Sequence, residues 1–354
     1  MKTVSVAGLA GGVALLLLTQ SAAPAGAQEE RTSIVPYAAQ VSPEAPPMPA
    51  PEGAAIVTGN FAGDASDEVL YYTPDYTPGT QAEVLLSFSN EGTGGSPLTW
   101  QVFRQPSVSG FYQPLVGDFD GDGHDDILWY GYGSDPDFLW EYTSFTAVTS
   151  TRIQVSGNYN GVVGDFTDDG ADDIFWYGYG SDPDYVWEHD VGGVRNSQSQ
   201  KVNGFFNPVV GSFADDSSED IFWYGYGSDP DYLWDFAVRT SPGVAHVSRS
   251  MPVNGLYYSV LSLDEWNDGA GGDDIVWGYE GLDPVWDFQG GVLRRWVDGY
   301  DPNEPGWPTA GDFLGDGHED ILWSNWDEVV LWDHGPDANS AAQLARWTYR
   351  IPAQ

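Results

Sequence analysis

The chain contains no cysteine among its 354 residues. Disulfide staples and cysteine nucleophiles are therefore excluded, and stability in an oxidising compartment must come from a large core, from bound metal, or from both. Basic residues are scarce: 12 Lys and Arg stand against 53 Asp and Glu, for a net charge of −41. Nucleic acids and anionic membrane surfaces both require basic patches, so neither is an expected partner. Apart from Val13 to Leu18 near the start, no stretch approaches the ~18 apolar residues of a membrane span. No sustained helical period is present, and neither is H-E-x-x-H, G-x-S-x-G or a P-loop.

The opening residues have a different purpose. Lys2 supplies a short positive region, Val13 to Leu18 an apolar one, and Ala25-Gly26-Ala27 a small-residue cleavage site. Residues 1–27 read as a secretory signal peptide cut before Gln28, which makes the mature chain secreted. Residues 28–54, rich in Pro, Ala and Glu, read as an extended linker, with Ser33 to Val41 able to add one strand.

From residue 55 onward one sentence is written repeatedly. VGDFDGDGHDDILWYGYGSDPDFLW starts at Val116, and close copies start at Val163 and Val210, steps of 47 residues (163 − 116 and 210 − 163). A fixed period of this size announces a repeat architecture. Taking the first apolar residue of the DILW segment as marker gives six units, at Val69, Ile127, Ile174, Ile221, Ile275 and Ile321. Eight residues earlier lie Phe61, Phe119, Phe166, Phe213 and Phe313, with Leu263 expected to take that place in the fifth unit. Trp129, Trp176, Trp223, Trp277 and Trp323, and a second set at Trp140, Trp187, Trp234, Trp286 and Trp332, recur with the period and so read as core.

Each unit parses into short β-branched and aromatic runs separated by Gly, Asp, Pro and Ser: VGDF, DILW, FLWEY and a variable segment such as TRIQVSG. Four antiparallel strands per unit make one blade of a β-propeller, because a lone sheet cannot cover its apolar faces and a circle of sheets can. The expected fold is all-β, a six-bladed β-propeller of four-stranded antiparallel blades over residues 55–354. Seven blades is the alternative if the linker folds into one. Arg104, Arg152, Arg195, Lys201, Arg239, Arg249, Arg294, Arg295, Arg346 and Arg350 all fall in the variable segments. If these are outermost strands, the positive charges ring the perimeter and discourage edge-to-edge pairing, consistent with a monomer.

Within the repeat, Asp118-Phe119-Asp120-Gly121-Asp122-Gly123-His124-Asp125-Asp126 places side-chain oxygens at loop positions one, three, five and nine and a carbonyl at position seven. That is an oxygen-rich wrap for one Ca²⁺. An EF-hand needs a glutamate at position 12 and a following helix; Trp129 stands there and a strand follows. The bland alternative is an Asx-turn hairpin with no metal.

The segment VGDFDGDGHDDILW is similar to the FG-GAP or VCBS-type repeat of secreted bacterial proteins and of the integrin α propeller. The resemblance implies a calcium loop between the first two strands of each blade; the six motifs here depart from the integrin seven. Carried over residue by residue, only the second blade is complete, with Asp118, Asp120, Asp122, Asp126 and the carbonyl of His124. The third keeps Asp165, Asp169 and Asp173 with Thr167 as a hydroxyl ligand, and the sixth keeps Asp312, Asp316 and Asp320 with Leu314 at position three. The first is marginal, with Asn60, Asp64 and Glu68, and the fourth is weak, with Ser212, Asp216 and Asp220. The fifth carries an insertion.

Strand order puts the metal loops on one face and YGYGSDPD on the other. That second face offers Tyr132, Asp135 and Asp137, then Tyr179, Asp182 and Asp184, then Tyr226, Asp229 and Asp231, beside Tyr112, Tyr159, Phe206 and Tyr257. Aromatic faces beside carboxylates suit sugar rings, while Asp-Pro-Asp equally suits a tight turn. The expected function is a calcium-stabilised, non-catalytic binding module for a glycan or an extracellular protein. A polysaccharide lyase or hydrolase on the same scaffold is the alternative.

Overall fold

Each repeat folds back on itself as a meander of four antiparallel strands. In the second these are Tyr112–Gly117, Asp126–Gly131, Asp137–Ser144 and Ala147–Ile153, paired in chain order. Burial falls from inside to outside and explains the sequence. DILWYG is buried at every position, because neighbouring sheets cover both of its faces, while the polar AVTSTRI is mostly exposed. The first strand ends at Gly117 rather than running through VGDF. Asp118 and Phe119 belong to the following turn, where the Asp118 side chain captures backbone N–H groups that a strand would need.

A computed structural model of the protein describes residues 55–72, 83–89, 99–106, 108, 110–131, 135–178, 182–190, 193–214, 216–225, 230–239, 244–253, 257, 259–263, 272–278, 283–289, 292–300, 307–324, 328–333 and 342–348. Among them are six four-stranded sheets of the same order. Their first strands are Ala55–Gly59, Tyr112–Gly117, Tyr159–Gly164, Phe206–Gly211, Ser259–Leu263 and Trp307–Gly311. Each lies beside the next, and Trp307–Gly311 lies beside Ala55–Gly59. This all-β arrangement is a β-propeller. The signal peptide, the linker and the seventh blade the linker would form lie outside the described residues.

Blades pack through aromatic pairs that the repeat dictates. Trp129 meets Tyr72 of the preceding blade at 4.9 Å between ring centroids, Trp176 meets Tyr130 at 5.1 Å, and Trp223 meets Tyr177 at 5.2 Å. Each of these three tryptophans also stands edge-on to the outer one of its own blade, as Trp129 does to Trp140 at 5.3 Å and 73°. The same tyrosines staple the interblade segment. The Tyr130 hydroxyl donates to the Gly157 carbonyl at 2.9 Å and accepts the Tyr159 N–H at 3.0 Å. Tyr72 and Tyr177 repeat this with Gly110 and Tyr112, and with Gly204 and Phe206.

A second set of links was not anticipated from the sequence. The acidic residue at loop position eight reaches back to position one of the preceding blade's loop. Asp172 accepts the Asp118 N–H at 2.9 Å, and its own N–H donates to the Asp118 carbonyl at 2.8 Å. Asp125 holds Asn60 the same way (2.7 and 2.8 Å), Glu219 holds Asp165 (2.9 and 2.9 Å), and Asp273 holds Ser212 (2.8 and 3.0 Å). Asp67 of the first blade holds Asp312 of the sixth (2.9 and 2.7 Å), tying the two ends of the chain's repeat array together. Thr58 adds a hydroxyl bond to the Ala310 carbonyl at 3.4 Å, and Phe88 packs on Phe313 at 6.0 Å.

The clamp explains the glycine that ends the first strand. A Cβ at Gly117 would stand 2.5 Å from the Asp172 carboxylate, and one at Gly59, Gly164 or Gly311 would stand 2.6 to 2.8 Å from the equivalent oxygen. In the fifth blade Leu263 pairs with Asp274 as Gly117 pairs with Asp126. Leu263 thus takes the glycine's place and not that of the repeated phenylalanine; the insertion displaced the count.

The positive perimeter is largely as expected. Arg104, Arg152, Arg195, Arg249, Arg294, Arg295 and Arg346 lie on fourth strands. Arg239 departs from the pattern by ending a third strand, Lys201 directly follows a fourth strand, and Arg350 is outside the described residues.

Candidate metal loops and the opposite face

The loops between first and second strands fold around their leading side chain. Asp118 accepts the Asp122 N–H at 3.0 Å and the Gly123 N–H at 2.8 Å, so its carboxylate closes the turn. Asp120 accepts the Asp122 N–H at 3.2 Å, and Asp122 accepts the His124 N–H at 2.9 Å. Gly121 and Gly123 take φ of 71° and 88°, the left-handed region that spares glycine a Cβ clash. As a result one oxygen each from Asp118, Asp120 and Asp122 lies within 4.8 Å of the others.

The fourth carboxylate arrives from the next strand. Asp126 is buried, and its Oδ1 accepts the Tyr142 N–H at 2.9 Å. Its Oδ2 is buried with no hydrogen-bond partner. Burial, then the charges of Asp120, Asp118 and Asp122, push the Asp126 carboxyl up to about 9. Asp118 and Asp120 are also raised, chiefly by burial. A buried oxygen without a partner, under the charge of three carboxylates that converge among themselves, is a poor arrangement for protein alone and a fitting one for a hard divalent cation. The residues therefore fit Ca²⁺.

The third loop repeats the closing hydrogen bonds and the orphaned buried oxygen of the second, without its close cluster of three carboxylates. Asp165 accepts the N–H groups of Asp169 and Gly170 at 3.1 and 2.9 Å, and the Thr167 hydroxyl sits 3.5 Å from the Asp165 Oδ1. Asp173 is buried, accepts the His189 N–H with its Oδ1 at 3.0 Å, and leaves its Oδ2 without a hydrogen-bond partner. Burial drives its carboxyl well above the usual range. Asp168 reaches φ 52° without being glycine, the one such residue described.

In the sixth loop Asp312 closes the turn through Asp316 and Gly317 at 3.1 and 2.9 Å, while Asp320 is fully buried on the second strand. The first loop has Asn60 in the closing role, accepting from Asp64 at 3.1 Å, and Glu68 accepts the Ala62 N–H at 3.0 Å with its other oxygen buried and unbonded. In the fourth, the Ser212 hydroxyl donates to the Asp216 carbonyl at 2.9 Å, so a neutral group holds the turn where an aspartate would supply charge. The inserted part of the fifth loop lies outside the described residues. His124 has a role beyond its carbonyl: its ring Nδ1 donates to the Phe61 carbonyl at 3.1 Å, across the blade boundary.

The opposite face divides the SDPD aspartates into two kinds. Asp137 is fully buried; its oxygens accept the Gly131 N–H at 2.8 Å and the Val155 N–H at 2.6 Å. Asp184 does the same for Gly178 and Val202, and Asp231 for Gly225 and Val253. These three, expected as ligand-face groups, are instead staples between the second strand and the interblade segment, with both oxygens engaged inside the protein. Asp135 and Asp182 are exposed, and their charges oppose the ionisation of Tyr112 and Tyr159 after the larger effect of burial and, for Tyr159, that of Tyr185. Tyr132, Tyr179, Tyr226 and Asp229 lie outside the described residues. Phe205, at the same end of the next blade, is 65% exposed.

Residues 110–149, the first three strands of the second blade, its complete loop and the start of its fourth strand, match the model of the FG-GAP repeat. The chain is a β-propeller that carries an FG-GAP repeat. No curated protein matches it. Among solved structures the chain is similar to a lectin of Agrocybe aegerita, described as specifically recognising non-reducing terminal N-acetylglucosamine. The TM-score is 0.53 at 13% identity, over 84% of this chain and 80% of the lectin. At that identity the likeness is one of fold. No helix among the described residues is long and apolar enough to cross a membrane.

Proposed function

We propose that this protein is a secreted, calcium-stabilised, non-catalytic propeller that binds a glycan on the face opposite its metal loops. The observation that carries the reading is the recurrence, at equivalent positions of neighbouring blades, of an exposed carboxylate whose charge acts on a tyrosine of the same face: Asp135 on Tyr112, and Asp182 on Tyr159. In the two turns described at both positions, the fold uses the buried aspartate, Asp137 or Asp184, and leaves the exposed one, Asp135 or Asp182, to solvent. A carboxylate accepts hydroxyl hydrogen bonds from a sugar, and exposed aromatic surface such as Phe205 stacks on its apolar face.

Repetition favours binding over catalysis. A catalytic centre is a single asymmetric constellation, whereas equivalent clefts suit repeated sugar units. The shared architecture with a lectin supports the same reading by fold analogy. Calcium would be held by Asp118, Asp120, Asp122, Asp126 and the His124 carbonyl, then by Asp165, Thr167, Asp169 and Asp173, and by Asp312, Asp316 and Asp320. There it neutralises carboxylates that otherwise repel one another.

A glycan array screened with Ca²⁺ and with a chelator tests the proposal. Binding in Ca²⁺ that is lost in Asp135→Ala/Asp182→Ala supports it. Silence in both conditions sinks the lectin reading.

A further inference from the structure

We propose that the position-eight clamps couple neighbouring calcium loops, so that an ion bound in one blade tightens the loop of the blade before it. This rests on the calcium reading above and adds to it a positioning role for residues that are not themselves ligands.

The path is short and covalently continuous. Asp173, a ligand of the third loop, directly follows Asp172. Asp172 holds both backbone polar groups of Asp118, through its carboxylate at 2.9 Å and its N–H at 2.8 Å. Asp118 in turn closes the second loop through the N–H groups of Asp122 and Gly123. One peptide unit and one clamp therefore separate a ligand of one loop from the organising ligand of another.

The clamp has little room to slip. The Asp172 carboxylate is packed against Gly117 so closely that even a methyl group there would stand 2.5 Å from it. Each loop has two states to transmit, an ion-bound one with its carboxylates drawn together and an ion-free one in which they repel. An element with two states, biased from both ends, is the physical requirement for coupling.

The clamps also say where coupling runs. Asp67 joins the first loop to the sixth, Asp125 the second to the first, and Asp172 the third to the second. The series ends at the fourth loop. Glu219 still clamps Asp165 there, but Ser212 donates its hydroxyl to the Asp216 carbonyl where Asp118 and Asn60 accept from a loop N–H. The clamp's persistence beside a decayed loop marks it as part of the architecture, on which metal coupling is superimposed.

Calorimetric Ca²⁺ titration of the full chain in a mutant cycle tests this without assigning ions to sites. Asp120→Ala and Asp169→Ala each remove an exposed or half-exposed ligand, one from the second loop and one from the third. With coupling, the two single losses in overall binding constant multiply to exceed the double variant's loss by about fivefold or more, the lower end of usual coupling factors. Asp169→Ala with Asp316→Ala, whose loops share no clamp, should combine independently. The same cycle built on Asp172→Asn, which keeps an oxygen acceptor, retains the excess; built on Asp172→Ala it loses it.

Independent losses in the clamped pair, or an excess that survives Asp172→Ala, overturn the proposal while leaving calcium binding intact. A wild-type chain that takes up no Ca²⁺ overturns both readings.

Discussion

Asp172 belongs to the third blade, yet its carboxylate accepts the backbone N–H of Asp118 in the second at 2.9 Å, and Gly117 leaves the space in which it does so. Gly117→Ala should therefore destabilise the protein although the change is a single methyl group. Forcing the clamp apart is an overpacking event costing about 1–3 kcal/mol. Urea unfolding would register it as a lower midpoint at unchanged slope, and an unaltered midpoint would show that the clamp yields freely.

The two aspartates of one SDPD turn should differ sharply. Asp184→Ala removes the acceptor of two buried N–H groups, from Gly178 and Val202, at a cost of about 1–3 kcal/mol for each group left unsatisfied. Asp182→Ala, two residues earlier and exposed, should shift stability by less than about 0.5 kcal/mol. Chemical denaturation of both variants checks the contrast; equal effects would contradict the staple assignment.

Much of this molecule was legible because its repeat is. The alternation of DILW-type runs with Gly, Asp and Pro clusters marked the second and third strands, and the spacing of Trp129, Trp176 and Trp223 marked the core. The loop's oxygen spacing marked Asp118 as a candidate ligand, and the structure added its closing role. It did not mark the clamp, because a metal loop needs only the second acid of the Asp125-Asp126 doublet, and the first was absorbed into the run of charge. A signal existed: an acid precedes the ligand at Asp67, Asp125, Asp172, Glu219, Asp273 and Glu319, including in blades whose metal loop has decayed. Asp137, Asp184 and Asp231 were harder still. A turn aspartate and a ligand-face aspartate look alike until burial separates them.

Buried acids give the metal-free protein a definite pH response. Burial raises Asp126 and Glu68 to about 9, Asp67 to about 8 and Asp125 to about 7, against ordinary values near 4. The unfolded chain releases these protons from about pH 4 upward, whereas the folded chain keeps them until about pH 7 to 9. Stability on this account is greatest at low pH and is lost as pH rises through that window.

His189 acts in the opposite sense. Burial lowers it to about 4, so stability falls as pH drops below the unfolded value near 6.5. In chelator, thermal unfolding should therefore occur at a higher temperature near pH 6 than near pH 9. With Ca²⁺ present the decline should flatten or reverse, because the ion binds the deprotonated carboxylates. A chelated protein that melts higher at the alkaline end would contradict the burial of these acids.

The central claim is that the loops hold calcium and that the fold depends on it. Metal analysis of the purified chain, paired with calorimetric melting in Ca²⁺ and after chelation, tests it most directly. The account predicts bound Ca²⁺ at one ion per chain or more, and a melting temperature several degrees lower once it is stripped. Asp126→Asn should reproduce much of that loss without chelator. A chain that carries no Ca²⁺ and melts at the same temperature in both conditions would contradict it.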